Sequence, residues 1–302
     1  MAMKHRVRWI FTGERGIRPG WRFGLFVGMV MACGPLFDYV LPKIHFPDRA
    51  LNWSAVVLND ALDFVFIAAL TAIMCRIERR PFSAYGLRMS RGWLRLFGRG
   101  LVWGIVPSIL ILIPIWLAGA CSFHGLALPA GALVRSAALW AVAFLLLGVA
   151  EEFTFRGYAL QSLAEGIGFW PAAVVMCGIF GFLHFLKPND GWIDPITVAL
   201  YGMFCCFTLR RTGTLWFAIG FHAASDYTDM VVFAEPNSGN GGHAVPGHLL
   251  NVVFHGPDWL TGGPRGTEAS MLVFVILAAL FVLFDRVYPK TRAAAERELI
   301  AR

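Results

Sequence analysis

Charge is what this sequence has least of. Asp, Glu, Lys and Arg make up 15% of its 302 residues against 57% apolar ones, too little to clothe a water-soluble domain. The chain therefore reads as an integral membrane protein, in which hydropathy sets the architecture. Its six cysteines, Cys33, Cys75, Cys121, Cys177, Cys205 and Cys206, form no CxxC pair and lie in or beside apolar segments. That excludes a zinc ribbon or a disulfide framework and leaves them as buried small hydrophobes. No HExxH, internal repeat or low-complexity tract is present, and the missing repeat argues against a transporter of duplicated halves. The first apolar run lacks a small-residue cleavage site and is long enough to span, so it is expected to stay as the first helix. A net charge of +7 does not point to nucleic acid, because the basic residues cluster between apolar runs.

What is present is apolar length. A spanning helix needs about 20 mostly apolar residues, and eight windows offer them, near 21–42, 54–75, 97–119, 136–162, 170–186, 192–209, 213–233 and 269–287. The expected fold is all-α, a polytopic bundle of about eight transmembrane helices. With the N-terminus inside, twenty of the 26 Lys and Arg fall on inner segments. Lys43, Arg49, Arg135, Lys187 and Arg265 fall on outer ones, and Arg156 lies within a window. This asymmetry predicts that both termini are cytoplasmic. The fourth window runs without Pro or a turn signal through "GVAEEFTFRGYALQSL", which predicts one continuous helix. The Gly- and Pro-rich connection from Glu235 to Glu268 is expected outside, with its "HLLNVVF" part on the membrane surface. The basic run from Arg76 to Arg99 reads as an amphipathic segment held against anionic lipid.

Ionisable side chains at membrane depth cost at least ~2.5 kcal/mol, so they face a polar interior and have partners. They concentrate in three windows: Glu151, Glu152 and Arg156; His184; and His222 with Asp226. Residues four apart share a helix face, which pairs Glu152 with Arg156 and His222 with Asp226. Glu151, turned about 100° from Glu152, is left to point elsewhere. Counting ~1.5 Å per residue from the inner turns puts Glu152, His184 and His222 at roughly 17, 21 and 14 Å, one common level. Peptide hydrolysis needs this set of parts: a base for water, a polarising or orienting group, and an oxyanion donor.

EExxxR at Glu151 to Arg156, FxxxH at Phe180 to His184 and HxxxD at His222 to Asp226 resemble, in order, the three motifs of the CAAX-protease and bacteriocin-processing (CPBP, or Abi) family. "RRTGTLWFAIGFHAASD" is similar to that family's lead into its last motif. The eukaryotic Ras-converting CAAX prenyl protease and lysostaphin-resistance-A-like bacterial proteins belong to the same superfamily. The resemblance covers roughly residues 135–235, a catalytic core between helices 1–134 with basic segments and a tail, 236–302, with the outer loop and last helix. It implies that Glu151 with His184 activates water, that Arg156 and Glu152 hold the site in shape, and that His222 and residue 226 stabilise the oxyanion. Many members carry Asn at the last position; Asp226, if ionised, cannot donate to an oxyanion. It must be protonated, orient His222, or ligate a metal.

The family has been read both as a metalloprotease and as a glutamate-dependent protease. Glu151, His184 and His222 would suit zinc by ligand type, though without HExxH, and the glutamate mechanism is favoured. The expected partners are the bilayer and a membrane-associated protein or peptide, entering a water-filled cavity from the inner half of the membrane. The short build resembles bacterial inner-membrane members. A proton- or ion-coupled transporter and a silent scaffold are the rival readings. Asp38, Asp60 and Asp63 read as interfacial, and His243, His248 and His255 as exposed loop histidines. Asp229, at i+7 from His222, either lines the same cavity or reaches the outer interface.

Overall fold

The computed structural model describes residues 11–13, 16–40, 51–186, 191, 193–237 and 240–289. Lys43, Arg49, Lys187 and the basic residues at 1–10, 14–15 and 290–302 used in the charge count lie outside these residues, as does the side chain of Asp38. The fold is all-α. Nine helices follow one another among the described residues: α1 Pro19–Val40, α2 Trp53–Glu78, α3 Trp93–Leu117, α4 Ala130–Arg156, α5 Tyr158–Ile167, α6 Phe169–Phe185, α7 Ile193–Thr212, α8 Trp216–Asp226 and α9 Leu272–Val287. Each apolar window overlaps one of them, or two for the fourth window. Four spans are long and apolar enough to cross a membrane, Trp53–Glu78, Trp93–Leu117, Ala130–Ile167 and Ile193–Thr212, while Phe169–Phe185 is apolar but shorter. Large apolar side chains face outward along them, Val65, Val102, Val142, Val174 and Val275 each more than half exposed, while Glu152, Arg156 and His222 are buried. This pattern is inside-out for water and suits a lipid surround.

The fourth window is not one uninterrupted helix. Gly157, at ψ −121°, breaks it directly after Arg156. A Cβ there would stand 2.3 Å from the Phe153 carbonyl oxygen, so the kink needs glycine. The sequence reading passed over it because a single glycine is tolerated in many helices.

Close helix contact sets the centre of the bundle. A Cβ on Gly100 or Gly104 of α3 would lie 2.2 or 2.3 Å from the backbone oxygens of Phe217 and Phe221 in α8. Gly148 of α4 meets Ile219 and Ala223 from the other side. Small residues let backbones approach where lipid supplies no hydrophobic drive between helices, so α8 is wedged between α3 and α4. Beyond Asp226, α8 widens into a π-helical stretch, Tyr227–Val232. Such bulges favour functional sites, and the sequence carries no sign of this one.

The end of the bundle opposite Arg210 and Arg211, the loop end, carries residues 233–237 and 240–271. The "HLLNVVF" segment is not a free surface element: β2, Leu250–Phe254, pairs antiparallel with β1, Cys121–Leu126. Val252 is 8% exposed and Val253 51%, the alternation of a strand with one covered face. The indole N–H of Trp140 donates to the Pro246 carbonyl at 3.0 Å and ties the connection to α4.

At the opposite, basic end, Glu78 accepts from Arg22 at 2.6 Å, from Tyr85 at 3.2 Å and from Tyr158. Arg22 and Arg80 both bridge to Glu165. Arg80 is thus committed to carboxylates, while Arg76, Arg88, Arg91 and Arg95 are exposed.

Candidate active site

The C-terminal turns of α4 bring Glu151, Glu152 and Arg156 into the centre of the bundle. Glu152 is fully buried and Arg156 is 1% exposed. Arg156 Nη1 lies 3.2 Å from Glu152 Oε1, the pair expected from i,i+4 spacing. The guanidinium also sits over the Phe180 ring, 4.6 Å from its centroid. Gly202 of α7 makes room for it, since a Cβ there would stand 2.2 Å from Arg156 Nη2. A single buried charge would be costly; the ion pair and the aromatic face offset much of that.

His222 joins the two motif pairs that spacing alone kept apart. Its Nδ1 lies 2.9 Å from Glu152 Oε1, the oxygen that also meets Arg156. A carboxylate paired with arginine accepts, so Nδ1 carries the hydrogen and points away from the cavity. That turns Nε2 towards Asp226 Oδ2 at 3.4 Å and Glu151 Oε2 at 3.8 Å. The sequence placed these residues at one level but gave no sign of which edge of the imidazole each would meet.

His184 comes from the end of α6. Its Nδ1 donates to the Phe180 carbonyl at 2.9 Å and its ring stands edge-on to Phe180, which makes Nε2 the acceptor nitrogen of the ring. It shares with Glu151, His222 and Asp226 a cavity of about 250 Å³. Asp229 is on that wall too, the first of its two expected positions, along with Tyr201, Ser225 and Asp194. Tyr201 stacks on Phe221 and meets the His222 ring edge-on. Neither it nor Asp194 belonged to a recognisable spacing. Asp60, Asp63 and the loop histidines do not line the cavity. His248 and His255 bond to the carbonyls of Val245 and Gly119.

The cavity runs from Glu151 towards the loop end, where Leu51, Asn237, Thr267 and Glu268 line it. On the basic, expected inner, side of the site lies a packed core of Met74, Tyr85, Phe153, Tyr158, Met176 and Leu215. The physical reason is the kink: α5 folds Tyr158 and Leu160 under the Glu152–Arg156 pair.

Zinc is a poor fit to this arrangement. Among the described residues no group of three or more His, Cys, Asp or Glu side chains comes together as a metal-ligand set. Glu151, His184 and His222 share a wall without converging on a point, and no step below is routed through a metal.

Residues 133–228 match the family described as type II CAAX prenyl endopeptidase Rce1-like. An uncharacterized protein of Bacillus subtilis, YyaK, is 26% identical over 245 residues, covering 74% of this chain and 78% of the relative. No solved structure shows a significant match. The matched segment holds all six motif residues and is similar, at the family level, to CAAX-type endopeptidases, and the long apolar helices mark an integral membrane protein.

Proposed function

We propose that this protein is an intramembrane endopeptidase that cuts a peptide bond of a membrane-associated protein by a glutamate mechanism. The observation that carries the reading is the meeting of Glu151, His222 Nε2 and Asp226 on one cavity wall, with Glu152 and Arg156 buried behind them. Glu151 takes a proton from water and the hydroxide adds to the scissile carbonyl carbon. His184 Nε2 accepts from the same water and holds it. His222, held through Nδ1–H by Glu152, presents a protonated Nε2 to the oxyanion, and Asp226 balances the imidazolium charge. Collapse of the tetrahedral intermediate breaks the C–N bond, and Glu151 returns its proton to the leaving amine. Arg156 keeps Glu152 ionised and in place.

The same reading places eight helices across the bilayer, both termini in the cytoplasm and the protein in a bacterial inner membrane. Membranes carrying wild type, Glu151→Gln or His184→Ala at equal expression test it through the new peptide termini each generates. Termini present only with wild type support the assignment; identical sets in all three, with altered solute flux, support a transporter. A chelator added to the wild-type membranes should leave cleavage unchanged.

A further inference from the structure

At the loop end the cavity continues into a smaller one of about 30 Å³, with Asp226, Asp229, Glu235 and Glu268 around it. Cavities of that size hold about one or two water-sized groups. Glu235 is 2% exposed and follows Ala234, a non-glycine residue held at φ 54°. Its Oε2 accepts from the Thr267 N–H at 2.9 Å and hydroxyl at 2.7 Å, whereas its Oε1, also buried, has no partner. Asp229 Oδ1 is likewise buried and unpartnered. A cation, Arg265, also lines this space; its Nε, 3.7 Å from Asp194, forms an ion pair there and makes no hydrogen bond. Buried acceptors without donors are costly, so the mouth is built for a group that brings hydrogens and positive charge. Next to it the larger cavity is walled by Phe221, Ile276, Leu277 and Leu280.

We propose that this acidic mouth binds the guanidinium or ammonium group of a basic residue next to the apolar part of the substrate that occupies the larger cavity. The proposal rests on the protease reading and adds substrate class to it. The described residues offer no metal-ligand set here, which favours an organic cation with several N–H donors over a metal ion. Burial pushes the Glu235 carboxyl up to about 7. Asp226 and Asp229 from the helix, Glu268 from the loop and Arg265 face the same space. A bound cation favours the ionised carboxylate, so affinity should rise as pH climbs through 7 and fall below it.

Hexylguanidinium and its neutral analogue hexylurea, titrated calorimetrically into the full chain in nanodiscs, test the idea. In wild type the cation should bind about tenfold more tightly or better. The preference should fall towards unity in Glu235→Gln, whose remaining oxygen can still accept from Thr267, and in Asp229→Asn, and weaken in the exposed Glu268→Gln. Unfolding midpoints near wild type identify the variants that folded. Equal binding of both probes by wild type overturns the proposal, as does an undiminished preference in every folded variant. Displacement of hexylguanidinium by equimolar calcium or zinc would also overturn it. The titration is repeated on Glu151→Gln: charge-selective binding there, with cleavage undiminished in membranes, would sink the glutamate mechanism and leave the cation site standing.

Discussion

Two polar clusters lie in this apolar bundle, and they differ in how completely they are satisfied. At the basic end, Glu78 is met by Arg22, Arg80, Tyr85 and Tyr158, and Glu165 by Arg22 and Arg80, in a region packed solid by the largest core cluster. In the centre, Glu152 Oε2, Arg156 Nε and Nη2 and Asp229 Oδ1 are buried without partners, and a cavity adjoins them. Both clusters tie helices together. The basic-end cluster leaves one buried donor, Arg22 Nε, unpartnered against four atoms in the centre, and only the central cluster adjoins an open cavity, where a reaction can use that spare capacity.

Breaking each cluster should therefore have different consequences. Glu151→Gln removes the base without disturbing a buried pair, so cleavage should fall by about 10³-fold or more with the unfolding midpoint unchanged, as terminus quantification and a thermal melt would report. A variant that cleaves normally would collapse the distinction between the clusters. Arg156→Ala strands the buried Glu152 carboxylate and should cost about 3–5 kcal/mol of stability, read as a large drop in folded yield and midpoint in detergent. Cleavage would be lost with it.

The peripheral cluster should behave as structure alone. Glu78→Gln weakens charge-assisted bonds to Arg22 and Arg80 and should lower stability by about 1–3 kcal/mol, while the folded fraction cleaves at the wild-type rate. A rate loss at full stability would show that the basic end takes part in the chemistry. Asp226→Asn and Asp226→Leu both remove the charge that balances the His222 imidazolium, so each should lower cleavage by about tenfold or more. Near-wild-type cleavage by Asp226→Asn, with loss only in Asp226→Leu, would remove Asp226 from the charge balance assigned to it.

The centre was the more legible of the two clusters. Its members repeat at helical spacing inside apolar windows, where an ionisable group is conspicuous, and EExxxR, FxxxH and HxxxD announced Glu151, Glu152, Arg156, His184, His222 and Asp226 together. Glu78, Arg22 and Glu165 gave no such signal, because they sit at helix ends where charge is ordinary and come from positions up to 143 residues apart. Tyr201 and Glu235 were obscure for a related reason. Their importance lies in the cavities they line, and a cavity has no sequence period.

Composition and period alone determined that this chain is an all-helical membrane protein, which windows are helical and which side chains share a helix face, since those follow from hydropathy and the 3.6-residue turn. Tertiary structure decided the rest. The glycines at 100, 104 and 148 let α8 press between α3 and α4, and that approach brings His222 Nδ1 to Glu152 and leaves Nε2 for Asp226 and Glu151. The break at Gly157 turns α5 under the ion pair and directs the cavity to the loop end. Ring orientation and cavity direction depend on contacts between residues tens of positions apart, which local spacing does not encode.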